Sequence, residues 1–570
     1  MSSLWGSKKI DNANGDQHDD EEQGEQRDFD AGSSRPRSRT SRTSRNMREP
    51  TERDRLLPAN PRPPHSDGYL DPDDPAVSPY NLWTVRFTRY LTVLFLVLTF
   101  LWWVLLLVSI FVSPPGLHTR GSGFFDFAYT TLTSSVLLNS LLFFSSPSLA
   151  MRVSQGILSV FLLVNLIIIA SVARLRAEEG APGIASVGWA ALMAIWVLFT
   201  DRIVAWGKRE EEERLTGRPE TRRTLKEWLS VLASTTILVI FIIITILMTA
   251  TLMIRSIDAG LEFDGDRIRV DDGKYEVHFA CVGNATTDAK GKRSPTILLE
   301  GAEDPVEYDL EHWAYAAMQN GTIDRYCYWD RPGYAWSDNA PSPHSAGMSA
   351  DNLAEALAIS GEQGPWILVG AGYGSIVTRI FSARNFREVV GIMLIDPLHE
   401  DLLHRIGDPR TGFITWGWGI ISPLGIRRII GAIFQGQTRD DRVYGMAAFT
   451  GGKLLKAKLQ ENLVANSFTK QEISSARTIQ ATDTPLSIVS SEISVRRDKE
   501  WGDKQKDLTN ITGKLLSWDV VNKAPHYVWR TYDGRQLMEK RLGELVKAHH
   551  KARQDHPDSE MGVVEQPRDE

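Results

Sequence analysis

Hydrophobic and polar positions are sorted along this chain into three zones. Up to about residue 82 polar and charged residues dominate and large apolar residues are rare. From 83 to 256 long apolar runs follow one another. From about 262 the pattern changes to short apolar runs separated by helical spacing and turns.

A membrane-crossing helix needs about 20 mainly apolar residues, and five segments meet that length. The first, "LTVLFLVLTFLWWVLLLVSIFV", lies in a stretch without charge between Arg89 and Arg120. The second, richer in Ser and Thr, lies between Asp126 and Arg152. The third ends before Arg174, the fourth lies between Glu179 and Asp201, and the fifth between Glu227 and Arg255. These predict a five-span region over 83–256. Polar residues inside the spans are few, Asn139 and Asn165 among them, and no ionisable residue falls in a span core. An anchor bundle is therefore favoured over a transporter, which would need a polar pathway.

Residues 1–82 cannot bury enough apolar surface to offset chain entropy, and a disordered cytosolic tail is expected there. It contains a basic run, "RPRSRTSRTSR", and an acidic dileucine-like "ERDRLLP". Residues 551–570 form a second expected disordered tail. The loop at 201–226 carries eight Lys or Arg, and Arg86 and Arg89 precede the first span. By the positive-inside rule both lie in the cytosol. Five spans then put the C-terminal domain in a lumen or outside the cell. The sequons at Asn284, Asn320 and Asn510 all fall in that domain and agree with this side. An endomembrane or vacuole-like membrane follows; a mitochondrial membrane is the alternative.

The third zone, 262–550, reads as strands alternating with helices: "KYEVHFAC", "TILLEG", "DRYCYW", "WILVG", "VVGIMLID", "PLSIVSS" and "KLLSWDV". That alternation predicts an α/β domain with a mostly parallel sheet and helices on both faces. The whole fold class is thus a multi-pass α-helical membrane region followed by an α/β domain. A net charge of −7 argues against nucleic acid as a partner. The only cysteines, Cys281 and Cys327, could be two free thiols or one disulfide; two cannot build a structural zinc site by themselves.

The stretch "WILVGAGYGSIVTR" (366–379) carries the candidate chemistry. Gly370, Gly372 and Gly374 approach the dinucleotide fingerprint, and Asp396 is at a suitable distance for a ribose contact. Yet position 375, where the last glycine belongs, is Ser, and at least three strands precede the motif. The same stretch fits the nucleophile elbow G-x-S-x-G. "WDRPGYAWSD" (329–338) resembles the Y-D-R-x-G-Y-G-W-S-D signature of one α/β-hydrolase family. "LVGAGYGSIVTR", "IMLIDPLHED" and "APHYVW" follow in the order that family has, so the resemblance covers roughly residues 270–545, with a diverged lid near 405–480.

The resemblance implies an elbow at Gly372, a base at His526, an oxyanion donor in the Tyr373 backbone N–H, and an acid after "PLSIVSS", where Glu492 or Asp498 stands. It also exposes the departure. Gly372 occupies the nucleophile position and cannot form an acyl intermediate. His526 is then a base with nothing to activate. The turn after "TILLEG" carries Glu303 and Asp304, whose charge opposes a developing oxyanion. Ser375, one position past the elbow inside the helix, is a poor substitute. Asp330 and Arg331 read as an ion pair bracing their turn, and Trp329 and Trp336 as packing. No cofactor and no metal are implied. The reading is a membrane-anchored, catalytically degenerate hydrolase-like protein that binds a lipid, a small ligand or a protein partner. A membrane-tethered esterase or lipid hydrolase with a non-standard nucleophile is the alternative.

Overall fold

The computed structural model describes residues 77–116, 119–217, 224–287 and 293–555. The basic run and the dileucine-like motif lie outside the described residues. So does the C-terminal tail beyond 555, although residues 551–555, expected in that tail, are helical.

Five helices come first: α1 (Trp83–Phe111), α2 (Phe124–Leu142), α3 (Leu149–Ser171), α4 (Ala173–Thr216) and α5 (Leu225–Asp258). α4 is kinked at Gly180, where φ is +62° and glycine is required. α1, α3, α4 and α5 are long and apolar enough to cross a membrane. α2 departs from the five-span expectation. Ser, Thr and Asn139 dilute its apolar content, and Asp126, expected just outside the second span, lies in its first turn. Most of α2 is buried against its neighbours. Large apolar side chains instead face outward on the other helices, such as Leu101, Val160, Phe199 and Ile243. That is the reverse of a water-soluble bundle and is the surface lipid stabilises.

The helices alternate in direction. At one end Asn81, just before α1, donates to Glu211 of α4 at 2.8 Å. Arg152 of α3 meets Asp201 of α4 at 3.0 Å, and Lys208 of α4 meets Glu227 of α5 at 2.5 Å. At the other end the close of α1, the start of α2, the α3–α4 turn and the close of α5 all meet the C-terminal domain. The Ser113 N–H donates to the Ser342 carbonyl at 2.9 Å, Arg174 lies 4.8 Å over the Trp336 ring, and Arg442 pairs with Asp258 at 2.7 Å.

That domain holds an eight-stranded sheet: β1 (Asp266–Val270), β2 (Tyr275–Gly283), β3 (Thr296–Glu300), β4 (Arg325–Trp329), β5 (Trp366–Ala371), β6 (Val389–Ile395), β7 (Pro485–Ser491) and β8 (Lys514–Val521). Their order is β1-β2-β4-β3-β5-β6-β7-β8, with only β2 antiparallel to its neighbours. Strands covered on both faces read as unbroken apolar runs, and "WILVGA" shows why. Leu368 faces one core with Ile376 and Ile380, while Ile367 and Val369 face another with Trp313 and Leu542.

The first of these cores is covered by α7 (Ala346–Ile359) and α8 (Gly374–Arg384), the second by α6 (Val306–Gln319) and, at the end of the chain, a helix over Tyr532–Asp555. Cys281 and Cys327, register partners on β2 and β4, form a disulfide.

Between β6 and β7 the lid comprises α9 (Leu403–Ile406), α10 (Pro409–Ile421), α11 (Ile426–Phe434), α12 (Arg439–Val443), α13 (Gly452–Val464) and α14 (Lys470–Ile479). Leu459 of α13 packs with Ile110, Phe124 and Phe127 of the bundle. Two short helices, α15 (Glu492–Arg497) and α16 (Lys499–Leu508), follow β7. The chain closes with α17 (Tyr532–Asp555).

Candidate functional site

The elbow forms where β5 passes into α8. Gly372 has φ +48°, in the left-handed region. Its N–H donates to the Ile395 carbonyl at 3.1 Å, and its carbonyl accepts from the Leu398 N–H at 3.0 Å. The other two glycines of the motif serve close packing. A Cβ on Gly374 would lie 2.0 Å from the Gly301 carbonyl oxygen, and one on Gly370 would lie 2.3 Å from Thr378 Oγ1. The turn after β3 thus sits against the start of α8, where a dinucleotide phosphate would have to bind. Ser375 is fully buried and donates to the Gly372 carbonyl at 2.6 Å, so its hydroxyl serves the turn.

His526, after β8, meets two carboxylates. Its Nδ1 lies 2.7 Å from Asp396 Oδ2, and its Nε2 lies 3.1 Å from Glu303 Oε2. The acid beside the histidine is therefore Asp396, at the end of β6, and not Glu492 or Asp498. Glu492 instead accepts from the Lys523 N–H at 2.7 Å and pairs with Arg496. Asp498 caps α16 and pairs with Arg405. Asp396 is fully buried, with φ +38°, and accepts from the Ser491 N–H at 3.1 Å, Ser494 at 3.0 Å and Trp501 Nε1 at 3.1 Å. Three donors and the imidazole converge on this one carboxylate, which fixes the orientation of the ring.

Glu303 supplies the feature sequence reading did not place. One carboxylate oxygen accepts from the Tyr373 N–H at 3.3 Å, the expected oxyanion donor. A Cβ on Gly372 would lie 2.9 Å from both Glu303 oxygens and 3.0 Å from His526 Nε2. The carboxylate thus stands where a side chain at position 372 would project. Arg331 holds this turn. It pairs with Glu300 at 2.6 Å and donates to the carbonyls of Gly301 at 2.7 Å and Ala302 at 2.6 Å. It does not pair with Asp330, which meets His278 at 2.9 Å instead. Trp329 is a packing residue as expected, fully buried and donating to Glu300.

Charge follows from this geometry. Burial pushes the Glu303 carboxyl up, but its hydrogen bond and ion pair with His526 outweigh that and hold it down at about 2. Burial pushes the His526 imidazolium down, but the hydrogen bonds to Asp396 and Glu303 outweigh that and raise it to about 10. Two carboxyl groups facing one imidazole favour its charged form. The remnant is partly open to solvent, the His526 side chain being 30 % exposed and that of Glu303 37 %.

The described residues contain a cavity elsewhere. It measures about 650 Å³ and lies where the bundle, the lid and the β4–α7 turn meet. Trp336 lines it.

Comparison with known proteins bears on both halves. An uncharacterized protein of Schizosaccharomyces pombe is 34% identical over 505 residues, which is 83% of this chain and 92% of that one. The chain belongs to that protein's family. The model of a region of unknown function, DUF2417, matches residues 52–281. An uncharacterized vacuolar membrane protein of Saccharomyces cerevisiae is 28% identical over 384 residues, 57% of this chain and 59% of its own length. Solved structures similar to this one include an α/β hydrolase enzyme from a Medee basin deep-sea metagenome library, 14% identical, covering 50% of this chain and 97% of that one, at a TM-score of 0.36. A haloalkane dehalogenase from Bradyrhizobium elkani is 13% identical and covers 50% of this chain and 98% of that one, at a TM-score of 0.37.

Proposed function

We propose that this protein is a multi-pass protein of a vacuole-type endomembrane whose hydrolase-like domain faces the lumen and works by binding, without serine catalysis. The observation that carries the reading is Glu303. Its carboxylate takes the space of a side chain at 372, the Tyr373 N–H and the proton of His526 Nε2 together. Acyl transfer needs a nucleophile, an oxyanion donor and a free base; Gly372 offers no nucleophile, and Glu303 engages the other two.

Lumenal placement is supported by the alternating helices, by the Cys281–Cys327 disulfide and by the surface positions of Asn284, Asn320 and Asn510. The vacuolar membrane in the name of the Saccharomyces cerevisiae relative supports the organelle.

The test is ester hydrolysis by the purified full chain in detergent. Wild type is expected to show no turnover of short-chain esters and no labelling by fluorophosphonates. Turnover that is lost in both His526→Ala and Glu303→Gln would overturn the proposal and make Glu303 the nucleophile of an enzyme.

A transport reading has one observation in its favour. Asp126 of α2 is fully buried with both carboxylate oxygens lacking hydrogen-bond partners, and Asn139 and Asn165 are buried inside the bundle as well. Proton-coupled uptake into proteoliposomes that disappears in Asp126→Asn would establish it.

A further inference from the structure

The 650 Å³ cavity lies apart from Gly372 and His526, and none of the elbow residues lines it. Its volume is in the range of drug-sized ligand sites. The wall from the bundle is formed where α4 begins and α5 ends. The wall from the lid is formed by α10, α11 and α13.

The lining has two characters. Leu175, Met248, Leu252, Ile421, Ile426 and Leu455 make it apolar. Six cations and two carboxylates also line it: Arg174, Arg255, Arg427, Arg428, Arg442 and Lys453 against Glu178 and Asp258. The carboxylates are already matched. Asp258 is held by Arg442 at 2.7 Å, and Glu178 shares Arg255 with Glu179, at 3.1 and 2.5 Å. Among the described residues, Arg174, Arg428 and Lys453 make no direct salt bridge, although Glu178 acts on all three through space. Arg174 lies over Trp336, Lys453 donates to the Ala335 carbonyl at 2.8 Å, and Arg428 donates to the Arg442 carbonyl at 3.4 Å. Burial lowers Arg428 to about 10 and Lys453 to about 8, so both sit in the cavity wall at a cost that a bound anion would relieve.

The same lid helices expose large apolar side chains. Phe413 and Trp418 of α10 and Ile433 and Phe434 of α11 are each more than half exposed. These helices pack against the bundle, α10 on α2 and α11 on α5, beside the cavity they line. Exposed aromatic and apolar side chains are what an interfacial helix lays into the lipid boundary.

We propose that this cavity is a binding site for an anionic glycerophospholipid drawn from the lumenal leaflet, with its phosphate against Arg174, Arg428 and Lys453 and its upper acyl chains along Met248, Leu252 and Ile426. Charge complementarity and the exposed apolar side chains of the adjoining lid select this occupant over a water-soluble anion. A soluble anion would use the cations and leave the apolar wall unpaired. A neutral lipid would add no counter-charge to a wall where six cations face two carboxylates. The site rests on the binding-protein reading and names its ligand class.

The experiment uses the full chain in nanodiscs or detergent, with dioleoyl phosphatidic acid and dioleoyl phosphatidylcholine as probes and binding read by native mass spectrometry. Phosphatidic acid is expected to bind at least about tenfold more tightly than phosphatidylcholine, the size of one charge-assisted hydrogen bond. Arg428→Glu with Lys453→Glu is expected to abolish that preference, while the charge-conserving Arg428→Lys with Lys453→Arg retains most of it. The conserving pair keeps the test valid if the reversed pair fails to fold. Equal binding of the two lipids by wild type, or a preference unchanged in the reversed pair, would overturn the site. Full displacement of the lipid by inorganic phosphate would identify a soluble anion as the ligand and overturn it too. Fatty-acid release from the bound lipid that depends on His526 would sink the binding-only reading while leaving the cavity assignment standing.

Discussion

Glu303 and Gly372 form one unit, and the first prediction belongs to them. Gly372→Ser places an L side chain at φ +48° with its Cβ 2.9 Å from the Glu303 oxygens. Backbone strain of that kind costs about 1–3 kcal/mol, so urea or thermal unfolding of the variant should show a loss of that size. Glu303→Ala in the same chain removes the steric part and frees the Tyr373 N–H. The double variant is the one expected to react with a fluorophosphonate probe; the single variant, with Glu303 in place, is not.

The charge state of the trio sets a pH dependence. Glu303 is lowered from 4.5 to about 2, so its contribution is present above 4.5 and disappears as pH falls through about 2. His526 is raised from 6.5 to about 10, so its contribution is complete below 6.5 and is lost as pH rises through about 10. Melting curves of wild type against His526→Gln should therefore diverge most at mildly acid pH and converge between about pH 6.5 and 10. Parallel curves over that window would mean that His526 is neutral. At this scale the sequence showed that serine was missing and that Glu303 and Asp304 lay nearby. It did not show which carboxylate meets His526. Asp396 was visible as the end of β6, but its side chain reaches the histidine only because β6 and β8 flank β7 in the sheet.

Among the elements, the lid is where sequence and structure part most. Helices run from Leu403 to Ile479 across the interval expected as a lid near 405–480. Their attachment to the bundle was not legible, because helical spacing marks an apolar face without naming its partner. Leu459 is 1% exposed and packs on Ile110, Phe124 and Phe127. Leu459→Ala should cost about 2–5 kcal/mol, as other buried leucine truncations do. The cost should fall on the lid–bundle contact. Limited proteolysis should then cut α10–α13 sooner than in wild type, with the elbow region unaffected. β1 was missed because its five residues, Asp266–Val270, alternate charge and apolar side chains at a sheet edge and give too short a signal. α2 was read as a span from its length, and its burial inside the bundle allows the Ser, Thr and Asn content that lipid contact would penalise.

For the molecule as a whole, the orientation of the domain relative to the membrane can be tested directly. Asn284, Asn320 and Asn510 are exposed, although the Asn320 amide donates to Glu539 at 3.0 Å. Endoglycosidase treatment of the protein from its native membrane should increase its gel mobility. Asn284→Gln and Asn510→Gln should each remove a step of that shift. A protein indifferent to the enzyme would place the domain on the other side and return the disulfide for explanation.

The sequence by itself determined which segments are apolar enough for lipid, that an α/β sheet follows them, and that glycine stands at position 372 of the strand-to-helix turn. Each of these is local: hydropathy over about 20 residues, strand and helix periods, one residue at one turn. Only the tertiary structure decided that Glu303 fills the turn beside Gly372, that Asp396 meets His526, and that six cations gather where lid and bundle meet. Those facts depend on side chains from segments up to hundreds of residues apart, brought together by sheet order and helix packing, and no local pattern encodes such a meeting.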